Sequence, residues 1–138
     1  MKTYRYQVTF KGKVSPQDEM GTEMGIEAAG LVGLGCDPLF GEPGSSAQMG
    51  ALVTNDEDGA FSLQGEIVFP TGTLSFESGA APPLRDLADP SLQGGEVKAS
   101  ITSGTGDLTG AQGAILFNFT VDDAARFIDQ QAGLVFME

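Results

Sequence analysis

The stretch Tyr4-Arg5-Tyr6-Gln7-Val8-Thr9-Phe10-Lys11 alternates apolar and polar residues without a break. A period of two places Tyr4, Tyr6, Val8 and Phe10 on one face of an extended strand and Arg5, Gln7, Thr9 and Lys11 on the other. Ser15-Pro16-Gln17-Asp18 ends the strand with turn chemistry.

The same signature recurs along the chain. Met24 to Leu34 predicts a second strand with Met24, Ile26, Ala28, Val32 and Leu34 on one face and Glu27 opposite. Gly30, Gly33 and Gly35 interrupt it and predict a bulge or bend. Cys36 to Ser46 reads as a loop, and Ala47, Met49, Ala51 and Val53 form the next apolar face. Asn55-Asp56-Glu57-Asp58-Gly59 is a hairpin connection in which Asp58-Gly59 suits positive φ. Phe61, Leu63, Ile67 and Phe69 then face inward, with Ser62, Gln64 and Glu66 outward. Leu74 and Phe76 mark a further strand. Residues 79–95 are a long connection with one helical turn expected at Leu84–Leu87. Val97, Ala99 and Ile101 open another strand, and Ile115, Phe117, Phe119 and Val121 the one after it. Asp122 to Gln131 reads as a short helix capped by Asp122, burying Ala125 and Ile128 and stopped by Gly133. The alternative is a hairpin into a final strand, Leu134 to Met137.

About eight short strands with hairpin-length connections, each with one apolar face, predict an all-β single domain spanning residues 1–138. A closed antiparallel barrel leaves no open sheet edge, so it is preferred to an open sheet.

Composition narrows the function classes. Lys and Arg total 7 against 19 Asp and Glu, and Val14 to Leu84 holds no base at all. Nucleic acid and anionic membrane are therefore not expected partners, because both need a basic surface. With 0 His and 1 Cys, a His-based triad, a His-ligated metal site, a Cys-only zinc site and an intrachain disulfide are all excluded. Met1 to Tyr6 carries charge without a following apolar run, so a cytoplasmic protein without a signal peptide is the expectation. No cofactor or metal is called for. A homodimer is a further expectation, with the basic face from Arg5 to Lys13 meeting an acidic surface of a neighbour.

Individual motifs carry little chemistry. Asn55 to Gly59 gathers oxygen ligands, but the EF-hand register fails: with Gly59 sixth, the first and twelfth ligands would be Thr54 and Gly65. A solvated hairpin tip is the reading. Cys36 lacks a His and stands beside Asp37, which disfavours the thiolate, so it reads as a small hydrophobe. Glu27, Glu66 and Glu77 fall on polar strand faces and read as solvated surface rather than as a carboxylate pair. Asn118-Phe119-Thr120 is formally a glycosylation sequon but lies mid-strand.

The most distinctive segment is Ile101-Thr102-Ser103-Gly104-Thr105-Gly106-Asp107-Leu108-Thr109-Gly110-Ala111-Gln112-Gly113. It is neither a dinucleotide fingerprint nor a P-loop: no helix is predicted after it, and no Lys follows the glycines. It reads as a tight turn needing glycine conformations. It resembles the T-G-G-T-G-x-[FYL]-x-G-A-x-G turn of proteins with the allene oxide cyclase-like barrel. That group includes plant allene oxide cyclases, dirigent proteins, bacterial spiro-forming cyclases and a family of small uncharacterised bacterial proteins. The small bacterial proteins are the most similar in length and in their Gly-Thr-Gly-Asp/Glu-Leu-x-Gly turn. The resemblance implies the barrel fold, and the segment itself is implied to be structural.

The predicted interior carries the functional expectation. Tyr4, Tyr6, Met24, Met49, Phe61, Phe69, Phe76, Phe117 and Phe119 are candidate lining for a cavity that binds a small hydrophobic molecule. No catalytic residue is assigned. Two alternatives stand beside the binding barrel. One is a cyclase or isomerase that works by positioning an apolar substrate, which the resemblance implies. The other is a structural or interaction protein with a filled core.

Overall fold

A computed structural model describes residues 1–138. Its strands are β1 (Lys2–Pro16), β2 (Glu23–Leu31), β3 (Ser46–Asn55), β4 (Phe61–Phe69), β5 (Gly72–Glu77), β6 (Arg85–Asp86), β7 (Leu92–Gly104), β8 (Gln112–Asp122) and β9 (Arg126–Met137). They lie in the order β5-β4-β3-β2-β1-β9-β8-β7, and the β5–β7 pairing closes the ring into an eight-stranded antiparallel barrel. The two-residue β6 pairs with Gln93 and Gly94 of β7, where β5 does not reach. No helix is long and apolar enough to cross a membrane.

Alternation decides which side chains fill the barrel. Tyr6, Val8 and Phe10 are buried, as are Phe61, Leu63, Ile67 and Phe69, and Phe76, Phe117 and Phe119. Glu27, Glu66 and Glu77 are exposed on the outer wall. The Gly-rich turn behaves as its composition predicts: Gly106, Gly110 and Gly113 have φ of 59°, 83° and 132°, values that side chains resist.

The barrel has a closed end and an open end. The chain leaving β2 crosses the closed end and inserts Phe40 from a 3-10 turn, Pro38–Phe40. Phe40 packs against Tyr6 and Phe69 with ring centroids 5.1 and 5.0 Å away. Asp37 fastens this segment to the free edge of β1. Its backbone N–H donates to the Arg5 carbonyl at 2.9 Å, and its carboxylate accepts from the Arg5 N–H at 2.6 Å. Cys36, half-buried, donates its thiol to the Gln7 carbonyl at 3.3 Å.

Three expectations are corrected. The segment from Asp122 to Gln131 is a hairpin, not a helix. The Asp122 carboxylate accepts from the backbone N–H groups of Ala124 and Arg126 and pairs with the Arg126 side chain at 2.6 Å. These bonds, led by the Arg126 N–H, hold its pKa below the usual carboxylate range. Ala125 takes a φ of 63°, and β9 starts at once. Ile128 is consequently 41% exposed, and Gly133 lies inside β9 rather than ending a helix. Second, β2 stops at Leu31, so Leu34 leaves the sheet and is 95% exposed. Third, the turn expected at Leu84–Leu87 is replaced by the short pairing of β6.

Candidate functional site

The open end of the barrel forms a small apolar mouth of about 70 Å³. Its rim is built from strand ends: Val14 of β1, Met24 and Ile26 of β2, Val53 and Asn55 of β3, and Val121 of β8. Leu84 overhangs it from the connection before β6, and Phe61, Phe119 and Phe127 make its floor. The three rings stack edge to face or tilted, with Phe119 at 6.2 Å from Phe61 and 5.3 Å from Phe127. Asn55 is the only polar residue of the ten that line it, and its amide is engaged with the Gly21 carbonyl at 3.1 Å.

From this floor a buried polar chain runs inward. Phe119 stands opposite Asp129 across the β8–β9 ladder, and the next inward residue after Asp129 is Gln131. Asp129 is 0% exposed and Gln131 2%. The Tyr6 hydroxyl donates to Gln131 Oε1 at 2.6 Å, and Gln131 Nε2 donates to Asp129 Oδ2 at 2.9 Å and to the Met49 sulfur at 3.4 Å. Asp129 Oδ1 accepts from the Asn118 backbone N–H at 2.9 Å. The carboxylate thus takes a place in the ladder where the β8–β9 pairing breaks between Leu116↔Ala132 and Phe119↔Asp129. No buried side-chain nitrogen or oxygen is left without a partner.

Burial dominates the electrostatics of this chain. It raises the Asp129 pKa to about 6, against the opposing bonds from Gln131 and Asn118. It also pushes the Tyr6 hydroxyl well above its ordinary value, reinforced by the negative charge of Asp129. A carboxyl raised to about 6 by burial in an apolar interior is the perturbed ionisable group of this barrel.

The candidate residues do not gather in one cavity. Met24, Phe61 and Phe119 line the mouth. Tyr6, Met49 and Phe69 surround the polar chain or the closed end: Tyr6 bonds Gln131, Met49 contacts it, and Phe69 stacks on Tyr6 at 5.0 Å. Phe76 and Phe117 pack on each other at 5.1 Å. Tyr4 is half-buried against the core. Asp129, Gln131 and Phe127 are additional members of the interior, and Val14 and Leu84 of the mouth. Their sequence signal is the run Phe127-Ile128-Asp129-Gln130-Gln131-Ala132-Gly133-Leu134-Val135 read with period two, whose inward set begins and ends on apolar residues. Larger hollows, of about 430 and 820 Å³, lie on the outer wall.

The chain is thus an eight-stranded antiparallel barrel with one plugged end and a Gly-rich β7–β8 turn. Among solved structures, that of the pterocarpan synthase dirigent protein GePTS1 matches this chain with a TM-score of 0.64 and 15% sequence identity, over 98% of this chain and 88% of that one. At that identity the likeness is one of fold. No protein-family model and no curated protein matches the sequence.

Proposed function

We propose that this barrel binds a small apolar molecule at its open end. The mouth supports the reading: its lining is apolar apart from one engaged amide, and it opens at strand ends, where barrels commonly take ligands. The space below is filled by Phe61, Phe119 and Phe127 and the polar chain, so the ligand site belongs at the mouth rather than along the axis. Only the tip of a ligand fits inside about 70 Å³, and the rest lies under or displaces Leu84.

The test is a ¹⁹F NMR titration with fluorobenzene, a neutral apolar probe. Its resonance shifts and broadens with the wild-type protein. Leu84→Ala, which widens the mouth, tightens the interaction, and Val53→Asp abolishes it. Equal binding by wild type and Val53→Asp overturns the proposal.

Asp129 favours a second reading, in which the bound molecule is isomerised or cyclised. A buried carboxyl titrating at about 6 is suited to donating a proton and taking one back in the same site. The likeness to a protein named a synthase agrees with chemistry in this barrel fold. In this reading Phe127 swings aside to admit substrate to Asp129. Turnover of an apolar candidate substrate that survives Asp129→Asn at the wild-type rate excludes it.

A further inference from the structure

We propose that the outer wall of the barrel carries a second site, independent of the mouth, for a small organic anion with an apolar body. Two adjacent cross-strand rows form it. Gln7 pairs with Ala132, Ala132 with Leu116, and Leu116 with Lys98, so these residues run side by side across β1, β9, β8 and β7. In the neighbouring row Arg5 pairs with Leu134 and Leu134 with Ala114. All of them face outward, because the residues between them, such as Tyr6, Ile115 and Ala99, are buried inside.

Shape follows from side-chain size. Ala114 and Ala132 are short beside Leu116 and Leu134, and this hollows the wall. The segment held on β1 by Asp37 raises a rim at Gly35, and the resulting cleft has a volume of about 430 Å³. Leu116 is 52% exposed on its floor.

Charge selects the ligand. The chain carries −12, yet its two ion pairs, Arg85–Glu96 and Arg126–Asp122, leave Arg5 and Lys98, like Lys2, Lys11 and Lys13, with no carboxylate partner. Both line this cleft. Asp37 directs its carboxylate to the Arg5 backbone N–H. Arg5 and Lys98 stand at opposite ends of this apolar floor, three strand spacings apart, so either can take a carboxylate whose hydrocarbon chain or ring then covers Leu116 and Leu134. An inorganic anion would leave the floor uncovered, and a neutral hydrocarbon would leave the cations unused.

The experiment is an amide-resolved NMR titration of the full chain with octanoate, alongside octanol and inorganic phosphate. Octanoate shifts Arg5, Gln7, Leu116, Ala132 and Leu134, and higher salt weakens it. The Arg5→Gln, Lys98→Gln double variant loses roughly tenfold in affinity. Leu116→Asp, at an exposed position that the fold tolerates, abolishes binding. The proposal is overturned if octanol or phosphate matches octanoate at these residues, if the double variant binds unchanged, or if octanoate shifts only residues of the mouth. It is also overturned if Leu116→Asp converts a multimer to a monomer, since the cleft is then an interface between copies of this chain. Because fluorobenzene reports on the mouth and octanoate on this cleft, either proposal can fail alone.

Discussion

Inside the barrel the Tyr6 hydroxyl donates to Gln131 Oε1 at 2.6 Å, and this bond orients everything beyond it. With its oxygen committed to Tyr6, the Gln131 amide presents N–H to Asp129, which accepts it at Oδ2. One hydroxyl on β1 thus fixes the polarity of a chain that ends in the β8–β9 ladder.

Removing that hydroxyl isolates its contribution. Tyr6→Phe keeps the ring packed on Phe40 and Phe69 but leaves Gln131 Oε1 buried without a donor. The expected cost is about 1–3 kcal/mol in urea unfolding. Tyr4→Phe, at a half-buried ring outside the polar chain, changes stability by less than about 0.5 kcal/mol. Equal effects of the two substitutions contradict this account.

Asp129 gives the barrel an unusual pH dependence. Its pKa is raised from 3.8 to about 6 in the folded state, so the native protein binds the extra proton between those values. The associated stability is fully present below about pH 4 and is lost as pH rises through about 6. The loss is of order 2–3 kcal/mol. Urea unfolding at pH 4.5 and pH 8, compared between wild type and Asp129→Asn, reads this directly. Comparison with Asp129→Asn isolates the contribution of this one carboxyl, so the variant gains on the wild type as pH rises. A difference that is constant with pH contradicts the burial argument.

Much of this architecture is legible in the sequence because inward positions of a barrel repeat every second residue. Tyr6, Val8 and Phe10, or Phe61, Leu63, Ile67 and Phe69, need no further information. Leu34 misleads because its parity is right but the strand has already ended at Leu31. Asp129 and Gln131 escape for a different reason. A buried acid and amide look like solvent-facing residues until their partners, Tyr6 and the Asn118 N–H, are brought beside them by pairings more than a hundred and about ten residues away in sequence. Asp122 adds to the ambiguity, since a carboxylate accepting nearby backbone N–H groups is the signature of a helix cap and of a tight turn alike. The mouth is less legible still, because it joins the ends of several strands with Leu84 from a connection that has no periodicity.

Gly133 tests how closely the core is fitted around Tyr6. The two residues pair across β1 and β9, and a Cβ on Gly133 would overlap the Tyr6 ring. Gly133→Ala is expected to cost roughly 1–3 kcal/mol by overpacking. Gly50→Ala, where an added Cβ meets nothing within 4 Å, is neutral to within about 0.5 kcal/mol. Thermal or urea unfolding of the pair makes the comparison, and a tolerated Gly133→Ala contradicts the close fit.

Mapping the methyl groups of the mouth shows whether an apolar molecule binds there. Methyl-labelled protein is titrated with fluorobenzene and followed by ¹H–¹³C NMR. Saturable shifts at Val14, Ile26, Val53, Leu84 and Val121, with Ile128 and Leu116 on the outer wall unmoved, are the predicted result. Shifts confined to the outer wall, or none at the five mouth residues, contradict it.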